Sequence, residues 1–480
     1  MGTLAEQEDE HLSDLEPDVC WQAAYSRDAR FDGRFFAGAV KTRVYCRSIC
    51  PVPFAKPANM LWFASAAAAE AAGFHPCRRC RSAASPGTPA WVGTSAVVSR
   101  ALRLIAEGVL DRGNAEGLAG RVGLGSRHLR RLFVEHLGAS PLRIAMTRRV
   151  HFARNLIEET DLPITQIAAC AGFRSIRQFN HAMLTSTGES PTELRRMRLI
   201  SQVPTLRPGL LIRLAYRPPF QWSALRTFLA RRAIAGVESV QHNAYRRTIE
   251  IDGVTGALEV RHVTEERQLL VNIELPRYES LMQIVERVRR IFNLAADPFQ
   301  IASQLSRDTT LKPSLTAHPG LRVPGIWSGF EAAVRAILGE GLADRAPRAA
   351  LPRLTRTFGR PVKSIPGLTH VFPRPEDLAE ADLEAAHISD EPASMIRALA
   401  RAVLKRDLTF EASMNLRDAI TRVRVVPGIS QPMADYIAMR AFGEPDVFPV
   451  PTATFPHTTE CWRPWRAYAA MYLCDAGLVA

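Results

Sequence analysis

The chain has 480 residues and a formal net charge of +13, most of it from arginine. That length exceeds what one hydrophobic core serves, so three or four domains are expected. The charge points to a polyanion partner, nucleic acid rather than membrane, because no hydrophobic stretch reaches spanning length.

Residues 1–20 carry seven acids and no lysine or arginine. So one-sided a stretch has little to bury, and residues 1–19 read as a solvated, disordered tail. Nothing in it reads as an export signal, so the expected compartment is the cytoplasm. There, eight cysteines make a poor disulfide framework, and four of them stand in two tight pairs. Metal is the better reading of those four. Cys20, Cys170, Cys461 and Cys474 are scattered and suit small buried hydrophobes.

Cys46-x-x-x-Cys50 is followed by Cys77-Arg-Arg-Cys80. Each spacing lets one loop offer two thiolates to a tetrahedral ion, and four sulfurs favour zinc. Spacing leaves two roles open, a structural knot or a reactive centre. Residues 41–81 set Lys41, Arg43, Arg47, Lys56, Arg78, Arg79 and Arg81 against Glu70 alone, a setting that suits a phosphate backbone. Zinc held by four thiolates keeps a net negative formal charge, so a sulfur in such a site stays nucleophilic at neutral pH.

The run CWQAAYSRDARFDGRFFAGAVKTRVYCRSICP, together with GFHPCRRCR, is similar to the N-terminal methyl-acceptor domain of the Ada family of alkylation-response proteins. The resemblance implies a small α+β zinc domain over 20–86 with one Zn2+ on Cys46, Cys50, Cys77 and Cys80. It also implies irreversible transfer of a methyl group from a DNA methyl phosphotriester to Cys46, the other three being ligands only. Arg43, Arg47, Arg78 and Arg79 are the expected phosphate contacts. Methylation would turn the Cys46 thiolate into a thioether, remove one negative charge facing DNA, and tighten binding by about 1–4 kcal/mol between watery and surface-like dielectrics.

After the linker SPGTPAW, residues 95–198 are helical in pattern and repeat themselves. Ala119, Gly123 and Ser126 recur as Ala168, Gly172 and Ser175, an offset of 49, whereas Leu129, Phe133 and GASP recur as Phe179, Met183 and GESP, an offset of 50. The second turn has gained a residue. Ala-x-x-x-Gly is what a helix-turn-helix needs, a small residue where helices cross and a glycine for the left-handed turn. Ser126 and Ser175 are the expected N-caps of the second helices. Those helices offer Arg127, His128, Arg130 and Arg131 in the first unit and Arg174, Arg177, Gln178, Asn180 and His181 in the second, to base edges or phosphates. The layout resembles the tandem helix-turn-helix of AraC-type regulators, which implies two major grooves about 34 Å apart.

Past 204 the pattern alternates apolar and polar residues between turn signals, as half-buried antiparallel strands do. Residues 204–316 resemble the N-terminal α+β domain of AlkA-type 3-methyladenine DNA glycosylases, a structural part. An all-α segment, 319–480, contains VVPGISQPMADYIAMRAFGEPDVFP, the form of a helix-hairpin-helix whose amides at Gly428, Ile429 and Ser430 would hold a DNA phosphate. With WRPWRAYAAMYL it is similar to the AlkA-type glycosylase domain, which implies base flipping and cleavage of the glycosidic bond, assisted by an aspartate.

The sequence departs from that family where the chemistry lies. The aspartate position, six residues after Asp446, is Thr452, and no carboxylate occurs from Val447 to Thr459. Glu460 is the nearest acid downstream. Ser430 replaces the second hairpin glycine, Pro432 a frequent tryptophan, Cys474 the aromatic that closes the base pocket, and Glu340-Gly341 the usual Gln-Gln. Tyr436 remains, to stack on a base or simply to pack. No Pro-Cys-His-Arg segment is present, so repair of O6-methylguanine is not expected.

The expectation is a multidomain, mainly α protein: a zinc module, a tandem helix-turn-helix, an α+β domain, and a helix-hairpin-helix glycosylase-like domain. It would act as a cytoplasmic, nucleoid-associated alkylation sensor, binding damaged and promoter DNA and RNA polymerase, with a crippled glycosylase half. The alternative is a working 3-methyladenine glycosylase with a regulatory front half; a transcription factor without methyl transfer is a third reading.

Overall fold

The computed structural model describes residues 15–86, 96–197, 209–342, 349–362, 366–410, 416–450 and 459–477. Most of the acidic tail, the linker from residue 87, and Thr452 lie outside them. The chain is multidomain and mainly helical, as expected, and divides into two compact units. Met1–Pro218, Tyr278–Glu286 and Leu294–Asp297 make the first, and Pro219–Arg277, Arg287–Asn293 and Pro298–Ala480 the second.

The first unit opens with helix α1 (Pro17–Tyr25), which starts before the expected tail ends. Pro at its first turn and the burial of Cys20, Ala23 and Ala24 explain why the chain orders there. Strands β1 (Phe36–Ala39), β2 (Val44–Cys46), β3 (Met60–Phe63) and β4 (His75–Pro76) form a sheet in the order β3-β1-β2-β4. Its alternating side chains bury both faces. Phe35, Ala37 and Trp62 pack with α1, and Phe36, Tyr45, Phe63 and Phe74 pack with helix α2 (Ala66–Ala71). Gly38 leaves room for that second cluster, since a Cβ there would lie 2.6 Å from the Phe63 ring.

Helices α3 (Ala96–Ala106) and α4 (Val109–Arg112) lead into the repeat: α5 (Ala115–Arg121) and α6 (Ser126–Leu137), the long α7 (Pro141–Glu159), then α8 (Ile164–Cys170), α9 (Ile176–Thr187) and α10 (Pro191–Met197). Gly123 and Gly172 both take φ +76°, the left-handed turn the repeat requires. The caps differ. Ser175 caps α9 through the Gln178 amide as expected, but the cap of α6 is Gly125, and Ser126 is already helical. The residue gained in the second turn lies between the glycine and the cap.

Strand β5 (Leu210–Ala215) precedes α11 (Trp222–Arg232), a helix inside the stretch read as strands. In the second unit β6 (Glu238–Gln241), β7 (Ala244–Ile251), β8 (Val254–Val263) and β9 (Gln268–Glu274) form an antiparallel meander, with Tyr245 opposite Val260 and Val260 opposite Val271. Helices follow: α12 (Leu281–Ile291), α13 (Pro298–Leu305), α14 (Lys312–Ala317), α15 (Gly329–Ile337), α16 (Ala350–Phe358), α17 (Pro375–Leu378), α18 (Asp390–Leu404), α19 (Leu416–Val423), α20 (Gln431–Ala441) and α21 (Arg466–Asp475). Among the described residues no helix is long and apolar enough to cross a membrane.

Candidate metal centre and nucleic-acid interface

Backbone pairing, rather than spacing alone, brings the two cysteine pairs together. Strands β2 and β4 run parallel with Tyr45 opposite Pro76, so Cys46 and Cys77 leave the sheet side by side. The Cys77 amide donates to the Tyr45 carbonyl at 2.9 Å, and tight turns then carry the chain to Cys50 and Cys80. The four sulfurs lie within 4.8 Å of one another, close enough for one tetrahedral ion with Zn–S bonds of about 2.3 Å. The donor set fits one Zn2+. Cys50, Cys77 and Cys80 are buried, whereas Cys46 is partly open to solvent. The Arg47 amide approaches the Cys80 sulfur at 3.4 Å, which draws electron density from a ligand that is already enclosed.

The arginines around this centre divide into two kinds. Arg43, at φ +54°, sits over the Phe74 ring at 5.2 Å and is exposed. Arg79 is exposed too. Arg78 is exposed but pairs with Glu189 of the second helix-turn-helix unit. Arg47 departs from its expected role as a phosphate contact. Its side chain is buried, bound through two nitrogens to Asp32, and donates to the Cys80 carbonyl at 3.2 Å. It braces the metal loop from within.

On the reader, Leu129, Phe133 and Leu137 anchor α6, and Phe179, Ala182 and Met183 anchor α9. Arg127, His128, Arg130 and Arg131 are exposed, as are Arg174, Arg177, Gln178, Asn180 and His181. Gln178 accepts from the Arg174 amide at 3.4 Å, which steadies the start of α9.

In the second unit α19 and α20 flank the hairpin, with Gly428 at φ +89°. Gly428 and Ser430 are exposed and Ile429 is buried; Ser430, in place of glycine, caps α20 through the Met433 amide. Tyr436 is 3% exposed, so its face is not offered to a base. Its hydroxyl donates to Glu340 at 2.7 Å and accepts from Arg440. Glu340 also pairs with Arg335, and Arg335 with Glu331 and Glu238. Burial opposes ionisation of Glu340, yet Arg335 and Arg440 hold its carboxyl below the usual range. Asp446 binds Arg466 at 2.7 Å. Glu460 is exposed and paired with Arg463 and Arg466.

Among the scattered cysteines, Cys20 and Cys170 are buried, and burial pushes the Cys170 thiol up to about 12. Cys461 is exposed, contrary to the expectation for it. One polar cluster has no counterpart among the sequence motifs: Tyr45, beside Cys46, donates to Glu70, which also meets Thr147 and His151 of α7. Its one visible sign is Glu70 itself, a lone acid in an alanine-rich helix.

A four-cysteine zinc centre and a tandem helix-turn-helix define a zinc-binding, DNA-binding protein. The family profiles agree: the metal binding domain of Ada matches residues 19–82, a helix-turn-helix domain 118–197, and the AlkA N-terminal domain 211–328. The chain is 38% identical over 477 residues, 95% of each protein, to a probable bifunctional transcriptional activator/DNA repair enzyme AlkA of Mycobacterium tuberculosis. It is 29% identical to DNA-3-methyladenine glycosylase 2 of Escherichia coli, over 54% of this chain and 95% of that one. It is also 27% identical to the bifunctional transcriptional activator/DNA repair enzyme AdaA of Bacillus subtilis, over 38% and 83%. The chain belongs to the Ada/AlkA family of bifunctional transcriptional activators and DNA repair proteins. It binds zinc and DNA.

Proposed function

We propose that the protein accepts a methyl group from DNA methyl phosphotriesters on Cys46, once per molecule, and thereby becomes a stronger transcriptional activator. What carries the reading is residue exposure at the metal site: of the four cysteines Cys46 is the one that is partly exposed, while Cys50, Cys77 and Cys80 are buried. In the transfer, a Cys46 Sγ lone pair forms the S–C bond to the methyl carbon while the C–O bond to the phosphotriester breaks. The bonding pair leaves on the phosphate oxygen, giving an ordinary phosphodiester and an S-methyl thioether. Bound zinc would keep the sulfurs as thiolates without a separate base. Arg43 and Arg79, both exposed, would meet phosphates flanking the lesion. The exposed residues of α6 and α9 would read promoter DNA, and RNA polymerase would be recruited there, in the cytoplasm at the nucleoid.

The glycosylase-like half holds DNA through its hairpin in this reading, with weak base excision or none. Thr452 cannot carry the charge of an aspartate, and Tyr436 is tied into the Glu340–Arg440 cluster. Loss of a principal electrostatic group costs a factor of about 10²–10³ in rate. Similarity to the E. coli glycosylase along 95% of its length favours the alternative of a working enzyme. Incubation with a methyl phosphotriester duplex, followed by peptide mass analysis, is expected to find one methyl on the Cys46 peptide; an unmodified peptide, or a methyl on another cysteine, sinks the reading. Free methyladenine released from alkylated DNA beyond one equivalent per protein would establish the alternative for the second half.

A further inference from the structure

Strand β2 ends in the reactive cysteine, and the residue before it faces the other way. Tyr45 is fully buried; its carbonyl accepts from the Cys77 amide and from the Ser82 hydroxyl, both at 2.9 Å. One residue thus ties the Cys46 strand to the Cys77 loop, the two halves of the zinc centre. Its side chain points toward α7, the helix between the two helix-turn-helix units. There the hydroxyl lies 3.0 Å from Glu70 Oε1 and 3.0 Å from His151 Nε2, His151 lies 2.8 Å from the same Glu70 oxygen, and Thr147 donates to the other at 2.8 Å.

The contact continues along one face of α7, at the spacing of successive turns. Arg154 donates to the Pro76 carbonyl and Asn155 to the Ala83 carbonyl, each at 3.4 Å, and Glu158 and Glu159 pair with Arg81, next to Cys80. Against the centre of this face lies the Glu70 carboxylate, its side chain only 4% exposed. Burial opposes its charge, and His151, Thr147 and Tyr45 outweigh burial, so its pKa is depressed. A buried carboxylate satisfied by two modules at once is sensitive to displacement of either, because the group left behind loses its partners in a place water does not reach.

We propose that Tyr45, Glu70, Thr147 and His151 form a joint through which the zinc centre and the reader's central helix fix each other's position, coupling the state of Cys46 to the set of the helix-turn-helix pair in both directions. Coupling of this kind is reciprocal by necessity. Glu70, Thr147 and His151 act as positioning residues, working on Cys46 through Tyr45. The regulatory meaning rests on Cys46 being the methyl acceptor; the mechanical joint does not.

The test uses the zinc-loaded full chain, as wild type, Glu70→Gln and Thr147→Val, the last removing a single hydroxyl in case the first fails to fold. Amide hydrogen exchange across α7 is followed before and after zinc is removed with a chelator. In the wild type, chelation is expected to speed exchange around Thr147–Asn155 by about tenfold or more, the scale of a lost buried hydrogen-bond pair. In the variants that region already exchanges faster with zinc bound, and chelation adds less than about threefold. An α7 indifferent to zinc in the wild type, or identical responses in wild type and variants, overturns the joint. In parallel, affinity for a methyl phosphotriester duplex is measured before and after methylation, and the gain should shrink in both variants. A wild type that takes no methyl at Cys46 defeats the proposed function, while the joint still stands or falls on the exchange data, because chelation needs no methyl donor.

Discussion

The zinc module and the glycosylase-like unit both enclose arginine–carboxylate clusters, and they use them in opposite ways. In the zinc module, Arg47 and Asp32 neutralise each other beneath the metal loop while Cys46 stays partly open. In the second unit, Glu340 and Arg440 hold the hydroxyl of Tyr436, the residue expected at a base pocket, and the side chain is buried. Retention of a residue type is therefore weaker support for chemistry than retention of its access. Tyr436 is present but tied; Cys46 is present and partly exposed.

The largest effect that could break this contrast is metal removal. Structural zinc sites contribute about 10–16 kcal/mol of apparent binding energy that the folded state depends on. Chelation, or Cys77→Ser, should unfold residues 36–82 while leaving the second unit's unfolding transition unchanged, as read by thermal melting with zinc analysis. Cys46→Ser should abolish methyl uptake yet lose less structure, since Cys46 is the one residue of the four that is partly exposed. Equal structural loss in Cys46→Ser and Cys77→Ser would remove the distinction drawn between them.

Next in size is Arg335→Met. It leaves Glu331, which is wholly buried, and Glu238 and Glu340 short of their shared partner. Breaking a buried pair on one side costs about 3–5 kcal/mol. The second unit should lose that much in urea denaturation with zinc binding intact; a change under about 1 kcal/mol would mean that the cluster relaxes and does not hold the unit together.

Acid should separate the two units. For Glu238, burial opposes the charged form, but Arg335 and Arg247 outweigh it and hold the carboxyl at about 2 against an ordinary 4.5. Since the folded pKa is the lower one, its stabilisation, on the order of 3 kcal/mol, is complete above about pH 4.5 and is lost as the pH falls toward 2. Zinc thiolates are released by protonation and should go at higher pH. Following zinc release and the second unit's fluorescence in one titration should give two transitions, zinc first; a single joint transition would contradict the separation.

How much of this was legible in the sequence depended on distance along the chain. The cysteine ligands are three and four residues apart within each pair, and the helix-turn-helix glycines recur at a fixed offset, so local pattern exposes them. Arg47 misled because a count of arginines near the cysteines cannot distinguish one facing phosphate from one bound to Asp32. The Glu70–His151 contact spans 81 residues and leaves no period or motif, and the parallel pairing of β2 with β4 that unites the cysteine pairs is equally silent. In the second unit the substitutions at Glu340 and Thr452 were visible, but the tie from Glu340 to Tyr436 needed the packing of α20 beside the end of α15.

The smallest effect sharpens the view of the module's edge. Arg81 follows Cys80 at φ +50° and pairs with Glu158 and Glu159 of α7. A left-handed backbone costs a side-chain-bearing residue about 1–2 kcal/mol, and glycine escapes that strain. Arg81→Ala keeps the strain and loses the pairs, whereas Arg81→Gly loses the pairs and releases the strain. Gly should therefore melt above Ala by about 1 kcal/mol of stability although it has the smaller side chain. If the arginine is retained for its grip on α7, both variants should also speed amide exchange at Glu158 and Glu159 with zinc bound. Unchanged exchange there, with Gly more stable than the wild type, would show that the residue holds nothing and merely endures the turn.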